Sequence, residues 1–263
     1  MNTISKNQFR ELAKLKQKKY RDLTGSYLIS GIRAVSSALE SGFLSARQII
    51  LDESRIDPAA HPELKKIYES NIPVFMAGGN DFNRITDEQS PQGIALVARI
   101  PRLNFRENPP DDSVIIYLDR INDPGNLGTI IRTALWFGVN SILLSPGSVD
   151  PYNPKVVRAS TGYITHLHLY EEVDIQTLSE FSRSGNYSVI STIVEGGTSL
   201  REFKPAGKQI ILFGAEADGV NRVLSEVAGS QITIPKPGHG ESLNLGVSVA
   251  LVLYQIQMSK IQI

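Results

Sequence analysis

The chain has 263 residues, of which 41% are hydrophobic and 21% are charged, a balance typical of a globular protein with a sizeable buried core. It contains no cysteine, which excludes disulfides, thiol nucleophiles and thiolate metal sites. Its 27 basic and 27 acidic residues cancel, so any attraction to a nucleic acid must come from an uneven distribution of charge.

Neither end of the chain shows a membrane signal. The N-terminus lacks the apolar core of a signal peptide, and no run of about 18 apolar residues occurs. We therefore expect a cytoplasmic enzyme or binding protein without a membrane span.

Basic residues are concentrated at the N-terminus. Residues 1–24 carry an excess of five positive charges, and a second basic cluster follows at Arg99, Arg102 and Arg106. Such patches attract a phosphate backbone even on a neutral protein, but a solvated basic helix face is at least as common an explanation. Charge alone leaves both interpretations open. The basic residues of the first segment are Lys6, Arg10, Lys14, Lys16, Lys18, Lys19 and Arg21.

Residues 25–100 alternate between strand and helix patterns and predict a compact α/β unit. Residues 101–112 are rich in proline and charge and have no periodicity, which is typical of a linker. The predicted strands are 26–30, 46–51, 72–77 and 93–100, and the predicted helices are 32–42, 62–70 and 81–85.

From residue 113 the alternation restarts and predicts a mostly parallel sheet covered on both faces. The predicted organisation is therefore a first domain over 1–100 that starts with a basic helix, a linker over 101–112 and a second α/β domain over 113–263. The predicted strands of the second domain are 114–119, 141–145, 164–170, 187–194, 209–214 and 231–235, and the predicted helices are 126–138, 154–161, 175–185 and 243–260.

Three loops of the second domain, at 122–128, 213–219 and 234–246, are rich in glycine and small polar residues. Each follows a predicted strand, and ligands of parallel α/β sheets bind beyond the carboxyl ends of the strands. Each loop alone could simply start a helix, with Asp123 or Asn126 as the first N-cap and Ser242 as the last one. The convergence of all three favours a ligand site.

Arg132 lies on the predicted helix that follows the first loop. At 100° per residue, the apolar residues of this helix share one arc, and Arg132 lies opposite it with Thr129 and Trp136. We therefore expect Arg132 to face outward, close to the first loop.

Other chemical motifs are absent or incomplete. The run Gly238-His239-Gly240 lacks the third glycine of a dinucleotide fingerprint, since Leu243 holds that position, and no P-loop occurs. His166 and His168 lack a third ligand, so we expect no metal site. His239, inside the third loop, is the histidine expected to touch a ligand.

The segments "GNLGTIIRTALWFG", "LFGAEADGV" and "IPKPGHGESLNLGVSVALVLYQ" together resemble the three ordered motifs of the SpoU (TrmH) family. These are RNA ribose 2′-O-methyltransferases of the SPOUT superfamily, and "NPKVVRASTG" is similar to a family segment between the first two motifs. The resemblance covers 113–263. The front part, with "GSYLISGIRAVSSALESG" and "SPQGIALVA", resembles the family's auxiliary substrate-binding domain.

The resemblance implies a C-terminal α/β domain with a deep trefoil knot, a smaller N-terminal α/β RNA-binding domain, and a homodimer. It also implies S-adenosyl-L-methionine as cofactor, bound by the loops 212–219, 232–238 and 242–245. The implied cofactor-binding residues are Leu212, Phe213, Gly214, Glu216, Gly219, Ile232, Ile234, Pro235, Ser242, Leu243 and Asn244. The implied catalytic residues are Arg132, with Asn126, Glu216, Ser242 and Asn244 around it.

The family proposal makes Arg132 a general base, but a neutral guanidinium at pH 7 would be about one part in a million, costing roughly 8 kcal/mol. We therefore expect Arg132 to act as a cation that orients the ribose-phosphate and stabilises developing alkoxide charge. One position departs from the family, where Lys236 follows Ile-Pro in place of methionine. A buried Lys236 would weaken cofactor binding, whereas an exposed amine would be tolerated.

We therefore expect a methyltransferase acting on structured RNA, with ribosomal RNA favoured over tRNA by analogy with relatives that carry a full auxiliary domain. A tRNA ribose methyltransferase and a non-catalytic RNA-binding protein of the same fold are the alternatives. A nucleotide-dependent enzyme of Rossmann type is disfavoured by the failed fingerprint.

Overall fold

The computed structural model describes residues 2–86, 88–214 and 227–260. The chain divides into two compact units. The first comprises Met1–Arg102 together with Asp150–His166, and the second comprises Leu103–Val149 together with Leu167–Ile263.

The first unit contains a mixed sheet with helices. The strands run in the order β1-β4-β3-β5-β2, in which β1, β4 and β3 pair in parallel and β5 is antiparallel to both neighbours. Its strands are β1 (Asn2–Thr3), β2 (Ser26–Ser30), β3 (Ala46–Leu51), β4 (Val74–Met76) and β5 (Ile94–Arg99). Its helices are α1 (Lys6–Lys14), α2 (Lys18–Thr24), α3 (Ile32–Glu40), α4 (Lys66–Glu69) and α5 (Gly79–Thr86).

The basic N-terminal segment is built into this unit. Ser5 and Gln8 form a reciprocal capping box that starts α1. Leu12 of α1 then packs with Phe82 and Ile85 of α5 in the core. The sequence predicted one basic helix here, whereas the chain forms α1 and α2 with a turn between them.

The second unit is a fully paired parallel sheet. Its strands run in the order β10-β12-β9-β11-β6-β7-β8, and each described pairing is parallel. The strands are β6 (Val114–Leu118), β7 (Ser141–Leu144), β8 (His168–Tyr170), β9 (Tyr187–Ile193), β10 (Thr198–Ser199), β11 (Lys208–Phe213) and β12 (Ser230–Thr233). Among the described residues after 113, the helices with described bounds are α6 (Pro124–Trp136), α7 (Pro154–Ala159), α8 (Ile175–Ser184) and α9 (Leu245–Lys260).

Both faces of this sheet are buried, as the sequence predicted for a parallel sheet. On one face Tyr117 of β6 and Leu212 of β11 pack with Leu178 of α8. Their neighbours Ile116 and Ile211, which point to the opposite face, are equally inaccessible to solvent. Burial and the charges of Asp119 and Asp174 raise the pKa of Tyr117, whose hydroxyl donates to the carbonyl of Val173.

The segment Asp150–His166 leaves the second unit after β7 and packs entirely with the first. The ring of Tyr152 lies 4.9 Å from that of Tyr27 on β2. Gly162, at a φ of +81°, leaves no room for a side chain, since a Cβ there would lie 2.3 Å from the carbonyl oxygen of Ala34. The sequence domain over 113–263 therefore contains a stretch whose contacts belong to the N-terminal unit.

Most predicted elements are confirmed, and two are partly wrong. The predicted helix over 62–70 is a 3-10 turn, Pro62–Leu64, followed by the short α4. The predicted strand over 164–170 begins as a 3-10 turn, Tyr163–His166, and only β8 is extended. The second segment packs against α3, where His166 Nε2 lies 2.8 Å from the carbonyl of Ser37, a contact that the local pattern does not show.

Candidate functional site

Three glycine-rich loops start at the same edge of the second sheet. Because β6, β11 and β12 all run parallel, the loops that follow them leave from their carboxyl ends. β11 lies directly beside β6, and β9 alone separates β11 from β12. The convergence predicted from the sequence is therefore present for the first and third loops, while the second is described only as far as Gly214.

The first loop is held by its neighbours. The amide of Asp119 donates to the carbonyl of Phe213 at 2.8 Å. Arg120 adopts a φ of +50°, unusual for a residue with a side chain, and its amide donates to Ser145 Oγ at 2.7 Å. Backbone strain of this kind persists only where the surroundings fix it, and such positions cluster at functional sites.

Asp123 is the N-cap of α6, which settles the choice that the sequence left open. Its carboxylate accepts from the amide of Asn126 at 2.7 Å, and Pro124 occupies the first helical turn. The side chain of Asn126 is therefore not the cap.

The third loop ends at Asn244, which starts α9. Asn244 Oδ1 accepts from the amide of Val247 at 3.3 Å, so the sequence-based alternative that Ser242 caps this helix is wrong. The other half of the same amide, Nδ2, donates to Asn126 Oδ1 at 2.9 Å. One side chain thus caps α9 and joins it to α6.

α6 and α9 lie side by side and run in the same direction. Their starts are joined by Asn126 and Asn244, and near their ends Gln257 Nε2 donates to the carbonyl of Phe137 at 2.6 Å. Gly246 allows this approach, since a Cβ there would lie 3.0 Å from Thr129 Cγ2. Sequence reasoning missed the roles of Gly246, Ser145 and Arg120. Gly246 lies inside the third motif and Arg120 just before the first loop, and only these positions could have pointed to them.

Arg132 faces outward, as the helical wheel predicted. It is exposed two turns into α6, as are Thr129 and Trp136, whereas Ile130, Ile131 and Ala134 are buried.

The residues implied for cofactor binding differ in accessibility. Leu212, Phe213 and Ile232 are buried at the ends of their strands, and the carbonyls of Leu212 and Phe213 already accept from Thr192 Oγ1 and from the amide of Asp119. Gly214 and Ile234 are half-buried, whereas Pro235, Ser242 and Leu243 are exposed. A ligand at this edge would therefore contact these half-buried and exposed residues before the three buried ones. Glu216 and Gly219 lie outside the described residues.

Lys236 holds its amine in solvent. The side chain is 44% exposed, and Nζ lies 3.3 Å from Glu195 Oε1 and 3.2 Å from the carbonyl of Gly240. Of the two sequence-based alternatives, the structure matches the exposed amine. The lysine fastens the third loop to the loop after β9.

The remaining sequence candidates lie in different parts of the chain. His166 lies in the first unit and bonds to Ser37, whereas His168 lies on β8 in the second, so the single strand predicted over both is wrong. Within 2–86, 88–214 and 227–260, no three His, Asp or Glu side chains converge as metal ligands. His239 is exposed, and Arg106 Nη2 donates to Thr177 Oγ1 within the second unit, whereas Arg99 and Arg102 belong to the first. Over the same described stretches, no helix combines the length and apolar character that a membrane span needs.

Known proteins match the chain along nearly its whole length. The model of the SpoU rRNA Methylase family matches residues 113–254, and that of the MRM3-like substrate binding domain matches residues 6–96. The 23S rRNA (guanosine(2553)-2′-O)-methyltransferase RlmP of Bacillus subtilis is 29% identical over 96% of this chain and 97% of its own. The 23S rRNA (guanosine-2′-O-)-methyltransferase RlmB of Coxiella burnetii is 25% identical over 88% and 95% of the two chains.

A solved structure shows the same fold. The AdoMet-bound rRNA methyltransferase of Sinorhizobium meliloti superposes with a TM-score of 0.85 at 25% identity, covering 100% of this chain and 98% of its own.

Proposed function

The chain belongs to the SpoU rRNA methylase family, and on that premise we propose that it transfers a methyl group from S-adenosylmethionine to a ribose 2′-hydroxyl of ribosomal RNA. The observation that carries the proposal is the hydrogen bond between Asn244 and Asn126, which joins the first and third motifs at the carboxyl edge of the sheet. The relatives named above act on 23S rRNA, which favours ribosomal RNA over tRNA.

The described residues fit an adenosyl cofactor. When bound, S-adenosylmethionine supplies a methyl group that its sulfonium has already activated. The edge offers apolar surface at Ile234 and at Leu243, which is 49% exposed, beside main-chain groups of the third loop. Apolar walls with a few polar groups are the usual lining of small-molecule sites. We propose that the cofactor is held by Leu212, Phe213, Gly214, Glu216, Gly219, Ile232, Ile234, Pro235, Ser242, Leu243 and Asn244.

We propose that Arg132 acts as a cation. Its exposure on α6 leaves the guanidinium accessible to RNA, where it can bind a phosphate and stabilise the alkoxide charge that develops on the ribose. Asn126 and Asn244 orient the ribose through their amides, and Ser242 and Glu216 complete the proposed catalytic set. Because the methyl group is already activated, alignment of the hydroxyl supplies much of the rate.

RNA binding by the first unit has support from its charge. Lys6, Arg10 and Lys14 are spaced four residues apart and share one face of α1. Arg84 of α5 lies beside this helix, with its guanidinium 5.1 Å from the ring centre of Phe9. Because α1 is anchored by its cap and core contacts, these charges form a fixed surface for a phosphate backbone.

We further propose a cytoplasmic homodimer with a trefoil knot in its second unit. Val247, Leu251, Tyr254 and Met258 form an exposed apolar stripe along α9, and Trp136 of α6 is 84% exposed. Contiguous apolar surface of this kind marks an interface. The knot has support from the family fold and from the return of the chain, which leaves β12 beside β9 and ends in α9 beside α6. A cytoplasmic location follows from a ribosomal RNA substrate.

The test is incubation with methyl-labelled S-adenosylmethionine and with unmodified rRNA or tRNA, followed by mapping of linkages that resist alkali. We expect label in rRNA at a linkage that alkali no longer cleaves, because methylation removes the nucleophilic 2′-hydroxyl. Label in tRNA alone would instead support the tRNA alternative. No transfer to either RNA would contradict the enzymatic proposal.

A further inference from the structure

We propose that the buried ion pair between Arg21 and Asp150 holds the chain next to Val149, and through the bond of Val149 to Ile121 steadies the first site loop that leads to Asn126 and Arg132. The inference rests on the function proposed above, because it assigns a role in that reaction to two residues outside the three motifs.

Arg21 is buried, although it belongs to the basic N-terminal run. It is 2% exposed, its Nη1 donates to the carbonyl of Leu15 at 2.8 Å, and its Nη2 pairs with Asp150 Oδ2. The second carboxylate oxygen of Asp150 accepts from the amide of Tyr152 at 2.8 Å. A guanidinium so enclosed is closed to a phosphate backbone, unlike the exposed Lys18 and Lys19 before it.

The pair fixes its place in the first unit because a buried charge without its partner is costly. The segment after Asp150 is held at further points along its length. Tyr152 packs on Tyr27, Gly162 lies against Ala34, and His166 Nε2 lies 2.8 Å from the carbonyl of Ser37. Asp150 therefore has little freedom to shift.

The residue before Asp150 touches the site loop. The amide of Val149 donates to the carbonyl of Ile121 at 2.7 Å. Ile121 directly follows Arg120, whose strained backbone is fixed by Ser145, and directly precedes residues 122–123, the entry to α6. Adjacent Cα atoms are about 3.8 Å apart. A shift of Asp150 would therefore also move Val149, whose amide is hydrogen-bonded to the loop.

The pair is thus a positioning device. Displacements of about 1 Å at a reacting group cost up to about a hundredfold in rate. Loosening Asp150 should therefore reduce turnover while leaving the exposed RNA-binding charges of α1 in place.

The test compares Asp150→Asn with the double variant Arg21→Gln/Asp150→Asn, which leaves no uncompensated charge buried. We expect kcat for rRNA methylation to fall about tenfold or more in each, with KM for rRNA within about twofold of the wild type. The fall in kcat in the double variant should be within about twofold of the fall in Asp150→Asn alone, because both changes break the same ion pair. Hydrogen exchange of the Val149 amide and of peptides covering 119–126 should accelerate in both.

Leu64→Ala is the matched control, since Leu64 is fully buried in the same unit and lies outside the described link. It should lower the Tm comparably while keeping kcat. The inference is overturned if both charge variants keep wild-type kcat and exchange, or if Leu64→Ala loses kcat to the same extent. Absence of methyl transfer by the wild type would instead refute the proposed function, and the exchange measurement would still decide whether the pair holds the loop.

Discussion

Asn244 Nδ2 donates to Asn126 Oδ1 at 2.9 Å, which joins two side chains 118 residues apart in the sequence. The orientation of the Asn244 amide follows from its other bond. Since Asn244 Oδ1 is taken by the amide of Val247, only its Nδ2 can face Asn126. The contact therefore fixes Asn126 with its oxygen toward α9.

Asn244→Asp and Asn244→Ala separate the two tasks of this side chain. Aspartate still caps α9, so we expect stability close to that of the wild type, but it cannot donate to Asn126, and kcat should fall by at least about tenfold. Alanine loses the cap as well and should cost a further ~1 kcal/mol of unfolding free energy. Thermal unfolding and single-turnover methylation measure the two effects.

Asn104→Asp is the control for this pair. Asn104 is an exposed residue of the same unit whose Oδ1 accepts from the amide of Arg106 at 3.0 Å, a bond that aspartate keeps. Its activity should match the wild type. Full activity in Asn244→Asp would show that the direction of this hydrogen bond plays no part in the reaction, since a rotated Asn126 amide can donate to the aspartate.

The sequence predicts the parts of this molecule that repeat a local pattern. Runs such as Val114–Leu118 and the Ile210–Phe213 part of Lys208–Phe213 are apolar and rich in isoleucine, so strand type and a mostly parallel sheet could be predicted. The family, the fold class and the cofactor predicted from the three loops are confirmed by the comparisons. The outward direction of Arg132 also follows from periodicity alone.

Contacts between distant segments could not be predicted in this way. The placement of Asp150–His166 in the first unit depends on Arg21 and Ala34, which lie more than a hundred residues earlier. The burial of Arg21 likewise has no local signature, because its neighbours are solvated lysines. The assignment of catalytic and cofactor-binding residues stays a prediction.

Gly246→Ala should push α9 away from α6. The new Cβ would meet Thr129 Cγ2 at 3.0 Å and Asn244 Oδ1 at 3.3 Å, so either the helices separate or Asn244 moves. We expect a loss of about 1 kcal/mol from crowding, net of the better helix propensity of alanine, and reduced activity. Thr129→Ser removes the methyl group that the new Cβ would contact. The double variant Gly246→Ala/Thr129→Ser should therefore recover both stability and activity, as measured by thermal unfolding and methyl transfer. A double variant no better than Gly246→Ala would refute the steric explanation.

Arg132→Ala should leave stability within about 0.5 kcal/mol, because the side chain is exposed on α6. Its single-turnover rate should fall by about a hundredfold or more if the guanidinium stabilises developing charge. Arg132→Lys keeps the charge but loses the planar fork, and we expect it to stay well below the wild type. Nearly full activity in Arg132→Lys at neutral pH would contradict a role in which the guanidinium makes two contacts. Arg201→Ala, which changes another exposed arginine of this unit, serves as the control.

Tyr254→Arg tests the proposed homodimer. Tyr254 is 55% exposed at the middle of the apolar stripe on α9, and an arginine there would place a charge within the proposed interface. Light scattering should give twice 28.9 kDa for the wild type and about 28.9 kDa for the variant. Leu23→Arg, which changes an exposed leucine of the first unit, should keep the wild-type mass. A wild-type mass of 28.9 kDa would contradict the homodimer.

Lys236→Met restores the residue that the family often has after Ile-Pro. Since the amine of Lys236 lies in solvent beside Glu195, it places no buried charge in the cofactor region, and methionine should not tighten S-adenosylmethionine binding by more than about twofold. The substitution also removes the bond to the carbonyl of Gly240, so the third loop should exchange its amide hydrogens faster. Glu195→Gln weakens the ion pair alone and should change Kd less than Lys236→Met does. Calorimetric titration with the cofactor decides the matter, because a tenfold gain in affinity for Lys236→Met would mean that the lysine enters the cofactor site.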